Sequence, residues 1–489
     1  MTDGRLKQDT FRAREEIVDS TGKHVTLLVT TLGAFLTPYM SSAVNIALPA
    51  IGQEFKLSAV SLSWIATVYL LATAIFLVPF GKLADTHGRK RIYTYGVAVY
   101  ALSALFLANS NSEIELISFR IVEGFGAAML FGSGVAMLTS VFPAGERGRA
   151  LGINIAATYF GLSMGPFLGG FLTEHFGWRS VFLINVPLGA LIIILVLWKL
   201  KGEWAEAKGE KFDLTGSAIY GLALAAMIYG LSLLPAAYGY GFVLGGMGIL
   251  VAFVVWESRA EYPVLDVRLF RGNRVFAFSS AAAFLNYSST YTVVFFLSLY
   301  LQYIKGFGPE NAGLILVAQP AVQAIFSPFA GRLSDRMEPR IVASAGMGFT
   351  AIGLALLVFL NGESTLGFVI AVLVVLGFGF ALFSSPNTNA IMSAVPRRFY
   401  GVASGTVGTM RLTGQMFSQA IALVSSAWFL GNAQIMPENY PQFLTAMKAA
   451  FVILAMLCTF GILFSLARGR TKPDEAILGQ SLKLTKGNV

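Results

Sequence analysis

Of the 26 acidic residues in this 489-residue chain, only Glu123 falls well inside a long apolar segment, and Arg120 stands three positions before it. Residues three apart are neighbours on a helix surface, so the two form either a structural ion pair or a site where a carboxylate meets a cation. A carboxylate that alternates between a dry environment and a cationic neighbour can load and release a proton. Arg411 lies in another apolar segment, where it either lines a cavity or ties two helices together. A charge at membrane depth is expensive unless paired or hydrated, which makes all three functional candidates.

Polar side chains recur at one-turn spacing in the same kind of segment: Thr37, Ser41 and Asn45; Asn286 and Thr290; Gln319 and Gln323; Arg411 and Gln415. Such stripes put each set on one helix face, and faces of this kind either outline a cavity or hydrogen-bond helix to helix. Tyr159 is the aromatic candidate for the same cavity, with Trp64, Tyr69, Tyr287 and Tyr291 beside it. A polar, aromatic-rich cavity suits a bulky amphipathic organic solute. The single Cys458 and the scattered His24, His87 and His175 offer no disulfide, metal cluster or catalytic set, so neither an enzyme nor a cofactor is expected. No G-x-x-x-x-G-K-[ST] string is present, which argues against ATP as the energy source.

The elements that hold these residues are long and apolar. With 55% hydrophobic and 12% charged residues, the chain is too poor in charge for an ordinary soluble protein. A bilayer core about 30 Å thick takes roughly 20 apolar residues per helix. The sequence predicts fourteen such helices, at about 24–45, 61–81, 91–109, 114–137, 149–172, 179–200, 213–233, 238–256, 275–303, 310–330, 340–360, 364–392, 400–428 and 446–467. Pro49, Gly52 and Gln53 punctuate the first gap. The net charge of +9 is spread over short loops, which speaks for topology and against nucleic acid. Of 35 Lys and Arg, 29 fall on the side that carries both termini, against three (Lys56, Arg179 and Lys305) on the other. Cytoplasmic loops retain basic residues, so both termini are expected in the cytoplasm, with a monomeric chain in the cell membrane. The charged first 23 residues do not resemble a cleavable signal, and the first helix is expected to serve as its own insertion signal.

One string occurs twice. Pro79-Phe80-Gly81-Lys82-Leu83-Ala84-Asp85, at the end of the second helix, recurs as Pro328-Phe329-Ala330-Gly331-Arg332-Leu333-Ser334-Asp335 at the end of the tenth. Both lie on the side of the termini, which implies parallel repeats. The expected architecture is all-α: a segment 1–23, a six-helix bundle 24–200, a linker with two extra helices 201–274, a second six-helix bundle 275–467 and a tail 468–489. The two linker helices are expected to lie off any central path.

Gly81 through Arg91, with Asp85, Gly88 and Arg89, resembles the loop between helices two and three of the major facilitator superfamily. Gly161, Gly165, Pro166, Gly169 and Gly170 match its antiporter motif g-x-x-x-G-P-x-x-G-G. Trp178-Arg179-Ser180-Val181-Phe182-Leu183-Ile184-Asn185-Val186-Pro187-Leu188-Gly189, Asn45-Ile46-Ala47-Leu48-Pro49 and Glu261-Tyr262-Pro263-Val264-Leu265-Asp266 are similar to strings of its fourteen-helix drug:proton antiporter group. The resemblance implies alternating access and export of small organic solutes driven by protons. Gly81, Asp85, Gly88, Arg89, Gly331 and Asp335 would then form a conformational latch. In it, Asp85 rests on the start of the thirteenth helix near residues 400–404, and Asp335 sits near Arg149. A specific metabolite exporter or uniporter of the same fold is the alternative, and an integral-membrane enzyme or a transport-dead sensor is a remote one. Two departures stand out: Met40 occupies the group's acidic position in the first helix, and Glu123 replaces its usual glutamine in the fourth.

Overall fold

The computed structural model describes residues 20–143, 146–205, 209–234, 236–261, 263–264, 270, 272–395 and 400–469. Side chains at 20, 21, 147, 148, 335, 400–402 and 404 lie outside that description. Among the described residues there are fourteen long helices: α1 (Ser20–Phe55), α2 (Ala59–His87), α3 (Arg89–Ala108), α4 (Glu113–Val141), α5 (Arg147–Phe176), α6 (Arg179–Lys199), α7 (Leu214–Ser232) and α8 (Ala237–Arg259). Then follow α9 (Arg274–Ile304), α10 (Pro309–Leu316 continued by Ala318–Arg336), α11 (Pro339–Leu357), α12 (Leu366–Ser393), α13 (Tyr400–Phe429) and α14 (Tyr440–Ala467). Thirteen are long and apolar enough to cross a membrane. The other, α13, is 30 residues long but carries Arg411, Gln415 and Gln419.

Local chemistry sets several ends. Ser58, Ser112, Asp213, Asn273 and Thr365 each accept a hydrogen bond from a backbone N–H in the first turn of the next helix, the preferred way to satisfy an orphan donor. Gly88 separates α2 from α3 at φ 117°, a conformation that favours glycine.

Four expected ends are corrected: the tenth helix runs to Arg336 and not 330, the fourteenth begins at Tyr440 and not 446, and the first two helices extend further. The first helix does not stop near residue 45 but runs through Pro49 to Phe55, and the second runs past Gly81 to His87. Pro49 has no N–H to give to the Asn45 carbonyl, and that carbonyl instead accepts from Ser298 Oγ at 2.7 Å. The helix continues because a partner distant in sequence satisfies the group that proline frees.

Packing shows the repeat. In the first half α1 packs on α5, α2 on α4, α3 on α4 and α3 on α6; in the second, α9 packs on α13, α10 on α12, α11 on α12 and α11 on α14. Even the close approaches correspond: a Cβ added to Gly126 would lie 3.0 Å from the Gly96 carbonyl oxygen, and one added to Gly379 would lie 2.8 Å from that of Gly346. The halves meet through α2 with α13, α5 with α10 and α1 with α9. Helices α7 and α8 pack mainly on each other, and α7 also touches α2 and α13. Much of α8 is exposed, including Leu244, Met247, Val251 and Val255, as suits a lipid-facing helix.

Candidate functional site: a cavity between the bundles

The cavity lies where α1, α5, α9, α10, α12 and α13 converge. Its walls include Asn45, Tyr159, Pro166, Thr290, Gln319, Gln323 and Gln415, together with Ser42, Tyr287, Tyr291 and Phe380. A smaller void beside it is walled by Thr37, Ser41, Tyr69, Phe131, Thr158, Arg411 and Gln415. Gln415 and Leu162 border both. The larger void is about 80 Å³, far short of the roughly 300–1,000 Å³ of a drug-sized site. As it stands the void is too small to hold such a solute.

Two hydroxyl contacts join the bundles across the cavity. Tyr159 and Tyr287 bring their hydroxyls to 2.7 Å. Tyr291 donates to the Ser41 carbonyl at 3.1 Å and is also bonded to the Ser41 hydroxyl. Phe380 stands edge-on to both Tyr159 and Tyr287, with ring centroids 6.5 and 5.6 Å away.

Arg411 is 9% exposed and faces the smaller void. Its guanidinium lies 5.5 Å from the Phe131 ring centre across the bundle boundary. Among the described residues it has no hydrogen-bond or ion-pair partner. Arg120 and Glu123 are placed differently from the expectation of a shared charged cavity: they lie behind the wall, inside the first bundle. Arg120 Nη1 donates to Glu123 Oε2 at 2.6 Å, its Nε donates to the Ile65 carbonyl at 3.2 Å, and its guanidinium covers the Tyr69 ring at 4.3 Å. Tyr69 thus stands between the pair and the smaller void. Glu123 Oε1 is buried without a partner.

Asn286 is fully buried off the walls of both voids, with neither end of its amide bonded. Trp64 borders neither void. Met40, in the position of the group's acid, is buried inside the first bundle, where its sulfur meets the Asn185 amide at 3.9 Å.

The antiporter-motif glycines divide by face. A Cβ on Gly161 would strike the Phe35 carbonyl of α1, one on Gly165 would lie 2.5 Å from Ser42 Cβ, and one on Gly169 would lie 2.8 Å from Ala43 Cα. Gly170 instead abuts the Pro309 carbonyl of α10, and the Pro166 carbonyl abuts Gly313.

On the face opposite the termini, contacts between the bundles close the cavity. Ser298 and Gln302 donate to the Asn45 and Ile46 carbonyls at 2.7 and 3.0 Å. Ala59 N donates to the Ala433 carbonyl at 3.0 Å, Glu310 N donates to Glu174 at 3.1 Å, and His175 Nε2 lies 3.0 Å from Glu310. Ser298 and Gln302 were legible as a continuation of the Asn286–Thr290 stripe, four residues at a time. On the terminal face, Met392 of α12 packs with Leu138 and Leu151.

Within the loop motif, Asp85 is bonded by Arg89 at 2.7 Å, and Arg89 also donates to the Ala136 carbonyl at 3.1 Å and to Ser140. Gly81 lies against Gly132 of α4 and Gly331 near Ser385. The side chains of Asp335 and of residues 400–402 and 404, with which the latch was expected to engage, lie outside the described residues. Beyond the distal face of the cavity, the Trp178-Arg179 motif grips the end of α1: Arg179 bonds both oxygens of Glu54 at 2.7 and 2.8 Å, and Trp178 Nε1 donates to the same carboxylate at 2.6 Å.

Two buried charges escaped the sequence reading. Arg468, placed in the tail, is 1% exposed and donates to Ser279 Oγ and Asn387 Oδ1. Burial and then Arg340 push its guanidinium down to about 10, which leaves it a cation at neutral pH. Glu257 is fully buried in the last turn of α8, beside Gly216.

An all-helical, multi-pass membrane protein whose two repeated bundles enclose a polar cavity is built as a transporter rather than an enzyme. The chain belongs to the Major Facilitator Superfamily, whose family model matches residues 30–256 and 279–485. It is 29% identical over 457 residues to the riboflavin transporter RibZ of Clostridioides difficile (strain 630), covering 93% of this chain and 99% of that one. It is 32% identical over 411 residues to the multidrug resistance protein Stp of Mycobacterium tuberculosis (strain CDC 1551 / Oshkosh), covering 83% and 76%. In fold it is similar to the crystal structure of a bacterial homolog of the human lysosomal transporter Spinster, with a TM-score of 0.67 at 18% identity over 93% of this chain and 98% of that one.

Proposed function

We propose that this transporter is a secondary active exporter that moves amphipathic small organic solutes by alternating access, driven by inward proton movement. The observation that carries the reading is the contracted cavity, walled by both bundles and closed on one face by hydrogen bonds from one bundle to the other. Helices α7 and α8 add nothing to either void and are taken as peripheral to the path. The distribution of Lys and Arg supports cytoplasmic termini in a cell membrane. The similarity to Stp supports a drug-like solute. The similarity to RibZ, a riboflavin transporter, with Met40 at the group's acidic position, favours a second reading in which one metabolite is carried, by an exporter or a uniporter.

Glu123 is the proposed proton carrier, because one of its oxygens is partnerless while the other is held by Arg120. Tyr69, between it and the smaller void, would have to shift for a proton to reach it. The test is uptake of amphipathic dyes into vesicles of purified protein under an imposed pH gradient, with a panel of competitors. Gradient-driven accumulation is expected in the wild type and not in Glu123→Gln, which keeps downhill exchange. Accumulation by Glu123→Gln at the wild-type level would return the pair to a structural role, and flux indifferent to the gradient would sink proton coupling. Inhibition by one competitor alone would favour the metabolite reading.

A further inference from the structure

The charges around the cavity are unbalanced. Among the described residues no acid lines either void, and the acid at membrane depth, Glu123, already holds Arg120. Among the described residues Arg411 is the one cation on the walls, nine-tenths buried, and its guanidinium faces the Phe131 ring across the boundary. An arginine serving as a tie between helices would be expected to bond a carbonyl or carboxylate of a neighbouring helix, and this one does not. A guanidinium presents a fork of N–H donors that fits a carboxylate bidentately, and a buried cation without a counter-charge is unfavourable. Gln415, one turn on, borders both voids and joins this donor to the larger space. There the Tyr159, Tyr287 and Phe380 rings form an edge-on aromatic wall, and the Gln319 Oε1 acceptor is buried with no partner, open to a hydroxyl or N–H on the solute's ring system.

We infer that the solute is an amphipathic organic anion, an aromatic acid whose carboxylate or equivalent is received by Arg411 while its ring system lies against Tyr159, Tyr287 and Phe380. The inference rests on the transport reading and narrows its substrate class.

The test uses two dyes on one xanthene skeleton, anionic fluorescein and cationic rhodamine 123, with purified full-length protein in vesicles. Binding by fluorescence anisotropy and uptake are both read. Wild type is expected to bind and carry fluorescein in preference to rhodamine 123. Arg411→Gln should weaken fluorescein binding roughly 10- to 100-fold without weakening rhodamine 123, and Arg411→Lys should recover part of the loss. If Arg411→Gln does not fold, the wild-type preference and Arg411→Lys decide the matter. Carriage of rhodamine 123 alone, or fluorescein binding indifferent to Arg411, would overturn the inference and leave transport intact. If neither dye binds or moves, this inference falls together with the reading of an exporter of amphipathic solutes, and the one-metabolite reading is left.

Discussion

The seal opposite the termini can be loosened by a known amount. Ser298 and Gln302 each place one hydrogen bond on α1 across the bundle boundary, to the carbonyls of Asn45 and Ile46. A typical buried hydrogen bond contributes about 1 kcal/mol net, so Ser298→Ala alone should move the closed-to-open ratio of this face about fivefold. Ser298→Ala with Gln302→Leu removes two, about 2 kcal/mol, or roughly 30-fold. A face open about 1% of the time would then be open about a quarter of the time. Cys458 is the only cysteine and is buried, so a Cys458→Ala background lets spin labels be placed at the exposed Asn111 and Glu363, one on each bundle. Double electron–electron resonance between them should show a longer-distance population growing from wild type to single to double variant. A distance distribution identical in all three would refute the claim that these two bonds hold the face shut.

The Gly313→Val variant adds side-chain atoms where the Pro166 carbonyl already presses in the closed form, so the same measurement should show a larger open fraction than the double variant; an unchanged distribution would show that α5 and α10 can yield without parting. Arg120→Met leaves the buried Glu123 carboxylate uncompensated, which should destabilise the protein by about 3–5 kcal/mol. Adding Glu123→Gln should restore part of that loss. Thermal unfolding of the singles and the double checks this, and a wild-type melting temperature for Arg120→Met would contradict the pairing.

Helical spacing fixes which residues share a face, and that reaches far in this protein: Thr37, Ser41 and Asn45 on α1 and Gln319 and Gln323 on α10 all border a void. Spacing does not say which neighbour the face meets. Asn286 sits one turn before Thr290 yet lies off the walls, and Arg120 turns its guanidinium onto Tyr69 instead of toward the void. The ends of α1 and α2 were misread for a related reason. Proline and glycine mark breaks when freed backbone groups must find water, but the Asn45 carbonyl finds Ser298, some 250 residues on, and nothing local in the sequence announces it. Arg468 and Glu257 stand at the ends of apolar runs, where charge ordinarily meets water; their burial depends on the packing of α9 and α12 around one, and on α7 beside the other.

The antiporter motif acquires a mechanical meaning from the two faces of α5. Gly161, Gly165 and Gly169, four residues apart, lie so close to the α1 backbone that a single methyl would strike it, and α1 and α5 belong to the same bundle. Contacts this tight between backbones leave no soft side chains to absorb sliding, so α1 and α5 should travel together. Gly170 and the Pro166 carbonyl point instead at α10 of the other bundle, at Pro309 and Gly313. That joint is equally close but unshared by any element that would hold it once the bundles rotate. One helix thus carries a fixed joint on one face and a separable joint on the next. Rocking should therefore part α5 from α10 before it disturbs α5 on α1.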